Sequence, residues 1–379
     1  MRCGSLRRVW VALLLLLAAS PSTAGILRVP AEFATIQAAV DASAPGDVIQ
    51  LKPGRYSESV RIEGRERLTV RGGRGVEIEP PEDIAFKVVD SSRVALERLT
   101  IFGSLGIEAV GIVGSRNVIV RRCRFVGGSE GVHVWSDGPV RIERNDFEAQ
   151  VGKAVVLDGG RLPPAVDSVV SKNRFFLTVG VGVLVKGQFN RIERNRFEGV
   201  VEGEAVSGDS DAVGNRYVRN RLLRAGFWTN GTGERVERNR SVDSSYTGFG
   251  ALGPDSEVIR NRVQGAEDCV VIGDGGRAVG NVCNDTVFGI SAGTGGEVVG
   301  NRIRRPGSYG VRVGQDCVVE DNDVRDSLVD GFFVAGGGNV VRRNRARGSG
   351  RFDLVDESAT DTNEYRQNRF QTMEIVEAP

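Results

Sequence analysis

Glu267 and Asp268 stand side by side ahead of the apolar run Cys269–Ile272. Two neighbouring carboxylates can act as proton donor and acceptor in glycosidic cleavage, or hold a cation such as calcium for a lyase reaction. Their plainer role would be to bond turn amides. Further along, Arg312 offers a planar guanidinium that can grip a carboxylate by both oxygens. Its plainer role would be an ion pair with a nearby carboxylate. Trp228, Tyr246, Phe288, Tyr309 and Phe333 recur through the same half of the chain, with Asp330 among them. Aromatic faces flanked by polar groups suit sugar rings; otherwise a loop or a second chain would cover them. His133 is the single histidine, which excludes zinc sites built on two imidazoles. No metal-ligand set stands out, and no cofactor is expected beyond calcium in the lyase case.

Composition narrows the class. Lys and Arg total 50 against 49 Asp and Glu, a net charge of +1. Such balance excludes a polyanion-binding tail and a highly charged disordered chain, and gives no nucleic-acid footprint. Residues 1–24 read as a signal peptide. Arg2, Arg7 and Arg8 precede the apolar Val9–Ala19, and Ser22, Thr23 and Ala24 lead to a cut before Gly25. The apolar run is shorter than the ~20 residues of a membrane span. The mature chain is therefore expected to be secreted or periplasmic, with no membrane span after cleavage.

Positioning these residues falls to a repeat. Arg191-Ile-Glu-Arg-Asn195-Arg-Phe197 echoes Arg141-Ile-Glu-Arg-Asn145-Asp-Phe147 and Arg235-Val-Glu-Arg-Asn239-Arg240. The anchoring Asn recurs at 145, 173, 195, 220, 239, 261, 281, 301, 322, 344 and 368, about 22 residues apart. Cys123 and Leu99 hold its place in earlier copies. A second element, Gly then apolar–x–apolar, follows in each period, as in Gly131–Val134, Gly182–Val185, Gly289–Ala292, Gly310–Val313 and Gly331–Val334. The rhythm is 2, the Leu framework of leucine-rich repeats is missing, and helical repeats need longer periods. What fits is an all-β parallel β-helix, with one coil per period and the Asn stacked in an inward ladder. About 13 coils at ~4.8 Å make a rod of ~60 Å. Glycine is expected to supply the positive-φ turns.

Residues 25–379 form one domain on this reading. Residues 25–60 are the N-terminal cap and first coil, with an amphipathic helix over Thr35–Ser43 as the plug. Residues 61–370 are the repeats and 371–379 the tail, with Met373–Val376 expected to cover the far end. Cys123, Cys269, Cys283 and Cys317 all differ in offset from their Asn anchors. Buried free thiols are therefore expected rather than bridges. The Arg flanking each Asn, such as Arg144, Arg194, Arg238 and Arg343, are expected to pair with Glu across coils.

The chain resembles the right-handed parallel β-helix proteins of pectin-lyase-like fold. The likeness rests on Phe33–Val40, Pro45-Gly-Asp47 and Pro53-Gly-Arg-Tyr56-Ser-Glu58, which look like the opening segment of pectin methylesterases, and on the repeats themselves. It covers residues 27–370 and implies a right-handed, single-stranded parallel β-helix with an N-terminal capping helix. The scaffold hosts lyases, hydrolases, esterases, epimerases and adhesive rods. Ala266-Glu267-Asp268-Cys269 resembles the Gly-Asp-Asp-Cys motif of polygalacturonases. Cys283–Gly289 resembles their Cys-x-x-Gly-His-Gly region with Phe288 in place of His. Arg312-Val313-Gly314 resembles their Arg-Ile-Lys without the Lys, and Tyr246-Thr-Gly248 lacks the Asp of their Asn-Thr-Asp.

The expectation is an exported protein that binds an acidic, uronate-containing polysaccharide and, if catalytic, cleaves it as a lyase or glycoside hydrolase. Glu267, Asp268 and Arg312 would be the catalytic residues. Trp228, Tyr246, Phe288, Tyr309, Asp330 and Phe333 would bind substrate. The alternative is a non-catalytic surface or periplasmic β-helix used for binding or scaffolding.

Overall fold

A computed structural model describes residues 24–81, 84–159, 164–200, 203–358 and 362–376. The signal peptide expected over residues 1–24 lies outside the described residues except for Ala24. Three parallel sheets of 16, 15 and 14 strands run the length of the described residues, and each complete coil gives one strand to each sheet. In one coil, Val181–Val185 lies in the 15-stranded sheet, Arg191–Glu193 in the 16-stranded and Arg196–Glu198 in the 14-stranded. The next coil stacks in register, Val183 on Val206, Ile192 on Tyr217 and Phe197 on Leu222. The molecule is an all-β parallel solenoid of about 15 coils, a rod of ~70 Å at ~4.8 Å per strand. The sequence count of about 13 fell short because the first coils carry neither the Asn nor the glycine element.

The corner between the 16- and 14-stranded sheets explains the repeat. The residue before each Asn adopts the left-handed conformation: Arg144 at φ 58°, Arg194 at 54°, Arg238 at 56°. Glycine takes this place only at Gly280 and Gly300 among the Asn corners. The Asn that follows turns inward. Asn195 Nδ2 donates to Val170 O (2.8 Å) and to Asn220 Oδ1 (3.1 Å), while its own Oδ1 accepts from Asn173 N (2.9 Å) and Nδ2 (3.1 Å). The same exchange runs unbroken from Asn145 to Asn368. Beside it Phe125, Phe147, Phe175 and Phe197 stack at 4.6–4.9 Å within the core. Contrary to expectation, the glycine of the second element serves space rather than positive φ. A Cβ at Gly182 would sit 2.5 Å from Ala205 O and 2.7 Å from the Phe197 ring.

A second inward ladder was not foreseen. Ser168 N donates to Asn190, Asn190 N to Asn215, Asn215 to Glu234, and Glu234 N to Ser256 Oγ. Glu234 is fully buried, and burial pushes its carboxyl above the usual range against the pull of its hydrogen bonds. The folded state therefore holds this proton more tightly than the unfolded chain, and its contribution to stability is lost as pH rises through the raised pKa. Glu234→Gln keeps the carbonyl that accepts from Asn215 and supplies an N–H toward Thr229. The variant is expected to be more stable than the wild type at pH 7 and no more stable at pH 4, as read by urea unfolding at both.

The short helix Ile36–Ala42 starts at Thr35, whose Oγ accepts from Ala38 N (3.1 Å). The Glu58 carboxylate accepts from Ile36 N and Gln37 N. Ile36, Ala39 and Val40 enter the core. At the other end Met373–Ile375 adds a strand beside Leu354–Asp356, but Met373, Ile375 and Val376 stay about half exposed.

The cysteine expectation is corrected. Cys269 and Cys283 form a disulfide, with Cα atoms 5.7 Å apart. The offset comparison tests only positions stacked in one sheet. These two face each other across the interior from two sheets of one coil, on strands Asp268–Ile272 and Val282–Asn284. Cys123 and Cys317 are buried free thiols, and burial pushes the Cys123 thiol up to about 12. Cross-coil pairs run through Arg at strand starts, as in Arg235–Glu257, Arg277–Glu297 and Arg124–Glu148, and at strand ends, as in Arg121–Glu97 and Arg342–Glu320. Of the Arg that flank the Asn, Arg343 reaches back one coil to Glu320 and Asp321 as expected, whereas Arg238 pairs with its own neighbour Glu237.

Candidate functional site

The outer face of the 15-stranded sheet carries the candidate residues. One row of outward positions is traced by register: His133, Val156, Leu184, Ser207, Trp228, Gly250, Val271, Ser291, Arg312, Phe333. A second row opens the strands, with Asp268 beside Phe288 and Tyr309 beside Asp330.

Asp268 is half-buried, and Glu267 beside it is exposed. Burial, then the Glu267 charge, raises the Asp268 carboxyl above its usual range, opposed by a hydrogen bond with Thr247. Phe288 and Tyr309 stack at 4.9 Å, and the Tyr309 hydroxyl lies 3.2 Å from Ser291 Oγ. Arg312 is exposed and stands 5.8 Å over the Phe333 ring. It takes part in none of the ion pairs found among the described residues. Asp268 and Arg312 are two strands and three residues apart, roughly 14 Å at sheet spacing, so they would meet different units of a polymer. Asp330 is only 4% exposed and is gripped by Arg351 at 2.9 and 2.7 Å. Its carboxylate is therefore committed within the protein.

Trp228, Tyr246 and Thr247 line a cleft of about 460 Å³. Glu204 lines it too, and sequence reading passed over this residue. Nothing distinguishes it in sequence from the other Glu that open strands.

Sequence reading also missed a cluster toward the N-terminal end of the face. His133 Nδ1 lies 2.7 Å from Glu130 Oε2 and its Nε2 3.1 Å from Asp158 Oδ2. The imidazole is thus bracketed by two carboxyl groups, one from its own strand and one from the next coil. Trp135 stacks on the imidazole at 3.4 Å and donates its Nε1–H to the same Asp158 oxygen at 2.9 Å. Lys153 Nζ is 3.5 Å from Glu130 Oε1. The sequence signal was a Glu three residues before the lone His and an Asp one coil after it. Six strands, roughly 29 Å, separate this cluster from Asp268. Among the described residues no group of three or more His, Cys, Asp or Glu side chains is placed to hold a metal ion.

Residues 61–223 match the family model described as right handed beta helix region. No curated protein sequence matches the chain. Among solved structures, the A-module of a mannuronan C-5 epimerase from Azotobacter vinelandii is similar at a TM-score of 0.52 and 13% identity, over 90% of this chain and 94% of that one. The receptor binding domain of the Siphovirus 9NA tailspike is similar at 0.54 and 9%, over 90% and 76%. The catalytic unit of an alpha-1,3-glucanase from Streptomyces thermodiastaticus aligns at 0.47 and 14%, over 89% of this chain; the chain spans 66% of that one. At such identities the likeness establishes the fold alone. No helix among the described residues is long and apolar enough to cross a membrane. The chain thus has the right-handed parallel β-helix fold, built from repeated coils.

Proposed function

We propose that the protein is exported and binds an acidic, uronate-containing polysaccharide along the outer face of the 15-stranded sheet, with Glu267 and Asp268 as its cleaving pair. The observation that carries this reading is Arg312: an exposed guanidinium, held over Phe333 and in none of the ion pairs among the described residues, on the same strand as Tyr309 of the Phe288–Tyr309 stack. A cation with no carboxylate partner among the described residues, close to aromatic faces, suits a uronate ring. The disulfide fits an oxidising compartment. The fold neighbour named for mannuronan supports the substrate class. A non-catalytic binding or scaffold role is the second reading, and Phe288 favours it by standing where the polygalacturonase pattern has His.

The test is a panel of uronate-containing and neutral polysaccharides, with and without calcium. Melting temperature reads binding, ultraviolet absorbance reads unsaturated lyase products and reducing ends read hydrolysis. A uronate polymer is expected to raise the melting temperature, and Arg312→Ala to weaken its binding about tenfold, the ~1.4 kcal/mol of one charge-assisted contact. Silence across the panel would sink the carbohydrate reading.

A further inference from the structure

We infer that the cleft between Glu204, Trp228 and Tyr246 takes the ammonium group of an amino sugar, so that the bound polymer carries positive as well as negative units. This deepens the proposed function and rests on its premise that the face binds a glycan. The cleft lies where the strand register slips between Glu204 and Val206 against the next strand. Its volume of about 460 Å³ is hexose-sized or larger. Among the described residues that line it, Glu204 is the one charged side chain. Glu204 is half-buried and takes part in none of the ion pairs found among the described residues. Burial raises its carboxyl above the usual range, with only a Ser207 hydrogen bond opposing.

A carboxylate withdrawn from water without a counter-charge is costly. A uronate would add a second negative charge to it. Glu267 and Asp268, three strands along, make the surroundings more negative still. A neutral sugar would cover Glu204 and leave it uncompensated. An ammonium group satisfies the carboxylate and gains the faces of Trp228 and the exposed Tyr246. Arg312 lies five strands away, about 24 Å along the rod. The two charges therefore contact different units of one extended chain, the ammonium in the cleft and the carboxylate at Arg312.

The purified protein is titrated calorimetrically with a glucosamine tetramer and with the N-acetylglucosamine tetramer, which has the same ring but no charge. The amine is expected to bind at least tenfold more tightly. Glu204→Gln, a neutral isostere, is expected to remove that preference, and Tyr246→Ala to weaken the amine severalfold from an exposed position that cannot disturb the core. Equal affinity for the two tetramers, or a preference that survives Glu204→Gln, overturns the inference. Binding of uronate polymer through Arg312 is measured separately. If it holds while the amine preference is missing, the inference alone falls. If the amine preference holds and uronate binding does not, the cleft assignment stands, and the negative units fall together with the uronate reading.

Discussion

Asn195→Leu is expected to lower the stability of the central coils by about 3–6 kcal/mol. The side chain is 1% exposed and makes four hydrogen bonds. Leucine matches its bulk and none of its polarity. Asn173 N loses its partner in a region that water does not reach, an orphan that costs about 1–3 kcal/mol, and Val170 O loses its side-chain donor while keeping its place in the strand ladder. Asn173 Nδ2 keeps Ile142 O, and Asn220 Oδ1 keeps the Asn195 amide, so those losses are partial. In a solenoid each coil is held only by its neighbours. The damage is therefore expected to appear as a local opening around residues 170–220, and the urea transition to broaden or split. Hydrogen exchange mapped along the chain checks this. Arg196→Ala, which removes an exposed pair with Glu198, is the control and is expected to change stability by less than about 1 kcal/mol. Uniform protection in Asn195→Leu would mean that the ladder contributes no local stability.

The first ladder was legible because one residue type repeats at one place in every coil. Its neighbour was not, because Ser168, Asn190, Asn215, Glu234 and Ser256 share a position without sharing chemistry. Alternation along the Gly–apolar–x–apolar element located the outward row from His133 to Phe333, since the side chains of a strand take opposite faces in turn. Contacts between sheets, or between strand positions of different rank, had no such rule. The Cys269–Cys283 bridge crosses the interior within one coil, and Asp158 reaches His133 from the following coil. Asp330 looked like a ligand group, and its commitment to Arg351 depends on a partner 21 residues on that sequence alone does not single out. Glu204 became visible only as the one charge among the described residues that line its cleft.

Asp268→Asn is expected to cut turnover of the polysaccharide by roughly 10²- to 10⁴-fold, the usual weight of a general acid or base. Asparagine keeps the shape and a hydrogen-bonding partner for Thr247 but has no proton to give. It also spares a half-buried site a charge whose formation burial and Glu267 already oppose, so stability at pH 7 should not fall. Loss of rate without loss of stability separates chemistry from structure. The pH profile supplies a second reading. A carboxyl with a raised pKa stays protonated to higher pH, so activity that depends on Asp268 as acid falls as pH rises through that value. Glu267→Gln removes the neighbouring negative charge, lowers the Asp268 pKa and moves this fall to lower pH. If Asp268 acted only as a base, the same variant would instead move the rise in activity to lower pH. If Asp268→Asn turns over polymer at the wild-type rate, neither carboxylate role stands, and the face is a binding surface whose sugar contacts end at Trp228, Tyr246, Phe288, Tyr309 and Arg312.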